Sequence, residues 1–139
     1  MYEAMERAFE LKDVNVAEYS PLTLAYIGDC VYELIIRTRL VNNSNAPVNK
    51  LNRKASDLAK AATQSAMIDA VMGMLSEEEE AAYRRGRNTN SPTKAKNAST
   101  SDYRKATGFE ALVGYLYLQK KFDRIMEIVK SGFASLEEK

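Results

Sequence analysis

Histidine is absent from the 139 residues of this chain, and there is one cysteine, Cys30. Without an imidazole, the chain has no Ser-His-Asp or Cys-His nucleophile, no histidine general base and almost no route to a catalytic zinc site. A single cysteine also excludes a structural zinc site and an intramolecular disulfide, which favours a reducing cytoplasm. The chemistry that remains uses carboxylates, hydroxyls, lysines and a hard cation such as Mg²⁺.

Long apolar runs are also missing, since none approaches the roughly 20 residues that cross a bilayer. The first residues have neither a basic start nor an apolar segment, so we expect no secretion signal. Period-two alternation is absent as well, whereas helical spacing of apolar residues recurs throughout the chain. The pattern therefore predicts an all-α protein, and the length predicts one domain over residues 1–139.

The helical pattern divides the chain into segments. Residues 1–18 form a short amphipathic lead-in, after which Ser20 and Pro21 predict the start of a helix that ends near Val41. Apolar spacing then predicts helices over about 51–62 and 66–75, divided near 63–65. Later helices are predicted from Ser76 to a glycine stop at Gly86, from about 101 to 121, and from about 124 to 133. Residues 87–101 are rich in turn formers and predict an exposed, flexible basic loop.

Two carboxylates, Asp29 and Glu33, lie one turn apart on the first long helix. They accompany an apolar stripe formed by Leu24, Ile27, Val31, Leu34 and Ile35. An acid beside such a stripe loses solvation, and it persists where a cation or a donor is close. The alternative is a pair of surface acids, with Glu33 bound to Arg37 at i+4. Gly28 costs a helix about 1 kcal/mol relative to alanine, which indicates close approach of another backbone beside Asp29.

Glu110 repeats this pattern, since it lies in a strongly apolar helical segment that has glycines at positions 108 and 114. Here too, an acid on the exposed face of an amphipathic helix is the alternative. Two apolar helices that each carry one acid could face each other and share a divalent ion. The spacing alone does not show that they meet.

The segment 84–105 is strongly basic although the whole chain carries a formal net charge of only +1. It has one acid, Asp102, and seven cations: Arg84, Arg85, Arg87, Lys94, Lys96, Arg104 and Lys105. Cations interspersed with serine, threonine and asparagine suit phosphate backbones, so the segment is a candidate RNA-binding surface. A solvated loop without a ligand is the alternative.

Residues 26–33 (YIGDCVYE) and 109–118 (FEALVGYLYL) resemble the two signature helices of the ribonuclease III catalytic domain. Residues 84–88 (RRGRN) are similar to a segment of its small bacterial subfamily, Mini-ribonuclease III, which lacks a double-stranded-RNA-binding domain. The resemblance extends from about residue 20 to 133. It implies a ribonuclease III-type helical bundle that acts as a homodimer and cleaves double-stranded RNA with Mg²⁺. It further implies a role in maturation of large-subunit (23S precursor) ribosomal RNA, with large-subunit ribosomal proteins as partners.

The same resemblance implies roles for particular residues. Asp29 matches the aspartate of the family's Gly-Asp pair and Glu110 the glutamate of its Phe-Glu-Ala motif, so both would be catalytic metal ligands, with Glu33 as a supporting residue. The larger family members have acids where this chain has Ala25 and Thr107, so waters, other side chains or RNA phosphates would complete the site. A non-catalytic RNA-binding or assembly dimer on the same fold is therefore an alternative function, and a helical scaffold without RNA is another.

Overall fold

The structure is a computed structural model that describes residues 1–89 and 99–137. Within these residues it has no strand, and the short 3-10 turns Val16–Glu18 and Met72–Met74 accompany seven α-helices. The helices are α1 (Tyr2–Phe9), α2 (Pro21–Asn43), α3 (Val48–Ala59), α4 (Ala61–Val71), α5 (Glu77–Arg87), α6 (Thr100–Leu118) and α7 (Phe122–Glu137). The predicted all-α class is confirmed. None of the helices in the described ranges is long and apolar enough to cross a membrane.

Side-chain caps fix the starts of three helices. The Ser20 hydroxyl accepts the Thr23 amide at 3.2 Å ahead of α2, and the Ser99 hydroxyl caps α6 in the same way. At α5, Ser76 and Glu79 form a reciprocal capping box, with distances of 3.1 and 2.8 Å. Such caps satisfy amides that have no partner inside the helix. Their presence at Ser20 and Ser76 confirms the predicted starts of α2 and α5.

Helix α6 lies at the centre of the molecule and packs against α2, α4, α5 and α7. Its apolar side chains Phe109, Leu112 and Leu116 are almost completely buried. Helix α1 lies at the edge, where the Tyr2 ring centroid is 5.1 Å from that of Tyr117. The central position of α6 brings Glu110, which lies midway along it, close to neighbouring helices.

The predicted break at 63–65 is wrong. The chain leaves α3 at Lys60, whose extended conformation (ψ 154°) separates α3 from α4, and residues 63–65 are inside α4. The physical reason is that the apolar spacing continues across the corner, so the pattern alone does not locate the turn. This correction places Gln64 in the first turn of a helix that faces α6.

The predicted helix stop at Gly86 is also wrong. Gly86 is buried inside α5, and a β-carbon there would lie 2.7 Å from the Ala111 β-carbon of α6. The helix ends instead at Arg87, and Asn88 follows with an ordinary negative φ of −86°. Gly86 therefore allows α5 and α6 to approach each other and does not serve as a left-handed cap.

The predicted basic loop lies partly outside the described residues, which omit 90–98 and with them Lys94 and Lys96. At its described ends, Arg87 still belongs to α5 and Thr100 already belongs to α6. The predicted boundaries of 87 and 101 are thus too wide at both ends. The predicted start of the last helix at about 124 is late by two residues, because α7 begins at Phe122.

Candidate active site

Two glycines bring α2 and α6 into direct backbone contact. A β-carbon at Gly28 would lie 1.8 Å from the Glu110 carbonyl oxygen, and one at Gly114 would lie 1.9 Å from the Leu24 carbonyl oxygen. Since real β-carbons do not approach other atoms so closely, only glycine fits at these positions without a shift of the helices. The predicted close approach of another backbone at Gly28 is confirmed.

The carboxyl groups of Asp29 and Glu110 meet at this contact. Asp29 follows Gly28 directly, and burial together with the charge of Asp29 raises the pKa of Glu110 from its ordinary value of 4.5 to about 8. A hydrogen bond from the protonated Glu110 carboxyl to Asp29 raises that pKa further. Asp29 itself is exposed, whereas Glu110 is half-buried. The loss of solvation predicted for the acid of α2 therefore falls on Glu110.

Glu33 has a partner on its own helix. The Arg37 Nε donates to Glu33 Oε2 at 3.1 Å, which is the i+4 pair of the surface alternative. The structure therefore brings Asp29 together with Glu110 and leaves Glu33 in an ion pair with Arg37.

The positions that carry acids in larger family members supply no carboxylate here. Ala25 is buried with Leu24 and Ala111 in a small apolar cluster. Thr107 is buried, and its hydroxyl donates to the Tyr103 carbonyl oxygen of its own helix at 3.0 Å. Among residues 1–89 and 99–137, no group of three or more histidine, cysteine, aspartate or glutamate side chains could hold a metal ion.

Gln64 is a further polar residue at this site. Its Nε2 donates to Glu110 Oε2 at 3.2 Å and to the Ala59 carbonyl oxygen at 2.7 Å. The residue is only 2% exposed. The donor to Glu110 opposes the rise in that residue's pKa, because it stabilises the ionised form. Gln64 was not predicted from the sequence, since a glutamine in the first turn of a helix carries no pattern that distinguishes it.

The residues of this site fit a hydrated divalent cation such as Mg²⁺. Two carboxyl groups in contact repel each other when both are ionised, and a cation stabilises both ionised forms. Carboxylate oxygens are ligands that Mg²⁺ prefers, and because this ion keeps several waters, two protein ligands are enough. The buried Oε1 of Gln64 has no hydrogen-bond partner in the described part of the chain, which suits a site with ordered water.

The basic residues differ in whether a carboxylate already neutralises them. Arg84 donates to Glu80 at 2.6 Å and Lys105 donates to Asp69 at 2.9 Å. Arg104 and Arg85 are exposed. An arginine whose charge is not paired is more available to a phosphate than one that is already bound.

A cleft of about 440 Å³ lies between the end of α5 and the start of α6. Its lining combines cations with short polar side chains: Arg87, Asn88, Thr100, Ser101, Arg104 and Lys105. The guanidinium of Arg87 lies 5.7 Å from the centroid of the Tyr83 ring. The structure thus brings three of the predicted RNA-binding residues, Arg87, Arg104 and Lys105, to one surface.

Comparison with known proteins defines the class to which this fold and site correspond. The Ribonuclease III domain matches residues 22–121, and the chain belongs to the ribonuclease III family. Its activity is accordingly that of an endoribonuclease, which favours the enzyme over the non-catalytic alternatives.

The particular relatives are proteins named Mini-ribonuclease 3, as the resemblance predicts. The protein from Clostridium tetani is 48% identical over 122 residues, which cover 87% of this chain and 81% of the relative. The protein from Thermoanaerobacter sp. is 43% identical over 134 residues, which cover 96% of this chain and 94% of the relative. An X-ray crystal structure of a protein from Fusobacterium nucleatum superposes with a TM-score of 0.75 at 30% identity, covering 81% of this chain and 90% of that one.

Proposed function

We propose that the chain hydrolyses double-stranded RNA with Mg²⁺ held by Asp29 and Glu110. The observation that carries the proposal is the contact between these two carboxyl groups, which come from distant parts of the sequence; burial and the charge of Asp29 together raise the pKa of Glu110 to about 8. Ionising a partly buried carboxyl beside a second carboxylate is unfavourable, and a cation bound to both would offset that cost and give the pair a function.

Each residue would contribute in a different way. When bound, Mg²⁺ supplies Lewis acidity that makes a water nucleophilic and neutralises charge on the phosphate, a chemistry that needs no histidine. Asp29 is exposed and would hold the ion at the surface, where an RNA backbone can approach. Glu110 is half-buried and would hold it from inside, with its carboxylate oriented by the hydrogen bond from Gln64.

The substrate class follows from the basic surface. Arg85, Arg87, Arg104 and Lys105, with Arg84 and with Lys94 and Lys96 from outside the described residues, would bind phosphates of the duplex by shape and charge. Double-stranded RNA is recognised mainly through its backbone and 2′-hydroxyl groups, so no pattern of base contacts is required.

A homodimer would place one site against each strand of the duplex. Helix α2 leaves three large apolar side chains exposed, Tyr26 at 81%, Leu34 at 48% and Val41 at 61%. Their spacing of eight and seven residues puts them on one face of the helix, which we propose as the dimer contact.

The natural substrate we propose is the 23S precursor of large-subunit ribosomal RNA, with large-subunit ribosomal proteins as partners in the cytoplasm. The resemblance to the Mini-ribonuclease III subfamily supports this assignment.

The test is incubation of purified protein with duplex RNA and with the same strands unpaired, each with Mg²⁺ or with chelator. We expect cleavage only of the duplex and only with Mg²⁺. Intact duplex under all conditions would refute the proposed activity, and cleavage in chelator would refute the role of the metal. A 23S precursor stem and an unrelated stem of equal length, compared in the same assay, would test the natural substrate.

A further inference from the structure

We infer that Gln64 is a positioning residue of this site, which holds the Glu110 carboxylate in the orientation that binds the metal ion. The inference rests on the proposed function, because it concerns the same site. The site has no carboxylate at Ala25 or Thr107. The inference assigns the orientation of Glu110 to an uncharged residue of α4. The contact that carries it is the hydrogen bond from Gln64 Nε2 to Glu110 Oε2 at 3.2 Å.

The Gln64 amide has one favourable orientation. Its Nε2 carries two hydrogens, and the two acceptors within reach are Glu110 Oε2 and the Ala59 carbonyl oxygen at 2.7 Å. A flip of the amide would point Oε1 at both of these acceptors and break both bonds. Because Gln64 is 2% exposed, water cannot easily replace them.

The corner between α3 and α4 anchors this amide. Ala59 is the last residue of α3, so its carbonyl oxygen has no partner inside that helix. The neighbouring Leu58 carbonyl oxygen accepts the Tyr32 hydroxyl at 2.7 Å, and Tyr32 lies one turn beyond Asp29 on α2. The end of α3 is thereby bound both to the helix of Asp29 and, through Gln64, to the carboxylate of Glu110.

A neutral donor suits a metal site better than a cation at this position. A lysine or arginine beside Glu110 would neutralise the carboxylate and repel the incoming ion. The glutamine amide donates a hydrogen bond to Glu110 and leaves the negative charge of the pair available. Partners of this kind fix the orientation of metal ligands in many proteins, and their removal typically weakens metal binding by about 10–100-fold.

A second bridge between α4 and α6 provides a matched control. Asp69 lies five residues after Gln64 on α4 and binds Lys105, which lies five residues before Glu110 on α6, at 2.9 Å. The two bridges thus join the same pair of antiparallel helices at different levels. Asp69→Asn weakens the bridge that is remote from the carboxyl pair, whereas Gln64→Met removes the one that contacts it.

The experiment titrates Mg²⁺ alone and follows the thermal unfolding midpoint of wild type, Gln64→Met and Asp69→Asn. We expect Gln64→Met to shift the rise of the midpoint with log [Mg²⁺] to about 10–100-fold higher concentrations, and Asp69→Asn to leave it within twofold of wild type. A purely structural Gln64 would lower the midpoint without changing the Mg²⁺ dependence, and that result would overturn the inference.

Gln64→Asn keeps a polar amide and serves if Gln64→Met does not fold. Its side chain is one methylene shorter, so the amide no longer reaches Glu110 and we expect the same shift to higher Mg²⁺ concentration; an unchanged Mg²⁺ dependence would overturn the inference. If Mg²⁺ does not stabilise wild type more than Asp29→Asn, the proposed metal site itself is wrong. A wild-type response with equal responses from the Gln64 variants would refute only the role of Gln64.

Discussion

Gly28 of α2 lies against the main chain of Glu110 in α6, so closely that a β-carbon on Gly28 would be 1.8 Å from the Glu110 carbonyl oxygen. This contact sets the distance between the two helices. Asp29 is the next residue along α2, and its carboxyl group therefore reaches that of Glu110. The candidate active site depends on a backbone contact as much as on the two acids.

Gly28→Ala should therefore impair both folding and metal binding. The added methyl group forces α2 and α6 apart, which we expect to lower the free energy of unfolding by about 1–3 kcal/mol and to weaken the Mg²⁺-dependent stabilisation. Urea unfolding with and without Mg²⁺ measures both effects.

Gly73→Ala is the matched control for this substitution. A β-carbon at Gly73 meets no atom within 4 Å, and no glycine of the described chain has a positive φ. We expect its free energy of unfolding to change by less than about 1 kcal/mol. Equal effects of the two substitutions would contradict the role given to the α2–α6 contact.

The stability of the metal-free protein should fall as the pH rises. Between about pH 4.5 and 8, folded Glu110 keeps a proton that the unfolded chain has released, because its pKa is raised on folding. The free energy of unfolding then decreases across this range. Glu110→Gln cannot ionise, so in chelator its advantage over wild type should be larger at pH 8 than at pH 4.5. Urea unfolding at the two pH values checks this, and a constant difference would contradict the raised pKa of Glu110.

Binding of duplex RNA should depend most on the exposed arginines that no carboxylate of the described chain neutralises. Replacing Arg85 and Arg104 by glutamine should weaken binding to all duplex sequences. It should also reduce the slope of log affinity against log salt by about 1 for each phosphate that is no longer neutralised. Arg84→Gln should have less effect, because Arg84 is bound to Glu80.

Arg7→Gln on α1 is the control, since α1 contacts the far end of α6 through Tyr2 and Tyr117. Filter binding at several salt concentrations measures the slope. An unchanged slope in the Arg85 and Arg104 variants would show that this surface does not bind the phosphates.

Tyr26→Glu should dissociate the proposed homodimer. Tyr26 is the most exposed apolar side chain of α2, and burying a charge at such a contact should cost about 2 kcal/mol or more, roughly thirtyfold in the dissociation constant. Phe9→Glu alters an exposed apolar side chain on α1 and should leave the dimer intact. Sedimentation velocity distinguishes these outcomes, and a monomeric wild type would refute the proposed interface.

Capping residues in the sequence predicted the starts of α2 and α5. The Ser20 cap with Pro21, and Ser76 with Glu79, satisfy amides within a few residues, so their effect does not depend on the rest of the fold. Gly86 shows the limit of such signals. A glycine after basic residues fits a helix stop, but it equally fits a close contact with a second helix, and only the position of Ala111 decides.

The site was predictable where the chain carries a repeated motif and unpredictable where it does not. An acid among apolar residues and glycines marked both Asp29 and Glu110, and the resemblance to ribonuclease III joined them. Gln64 has no such mark, because its role arises from a contact 46 residues away in the sequence. Glu33 lies one turn from Asp29 on the same helix, but its carboxylate forms an ion pair with Arg37, one turn further along.

The most direct test of the central claim is the single-turnover rate of duplex RNA cleavage at saturating Mg²⁺ for Asp29→Asn, Glu110→Gln and Glu33→Gln. We predict that the rates of Asp29→Asn and Glu110→Gln fall by more than about 100-fold, which is the upper end of the effects seen when a residue that only supports a metal ligand is replaced. The rate of Glu33→Gln should stay within twofold of wild type. Cleavage at the wild-type rate by Asp29→Asn or Glu110→Gln would contradict a site built from these two residues.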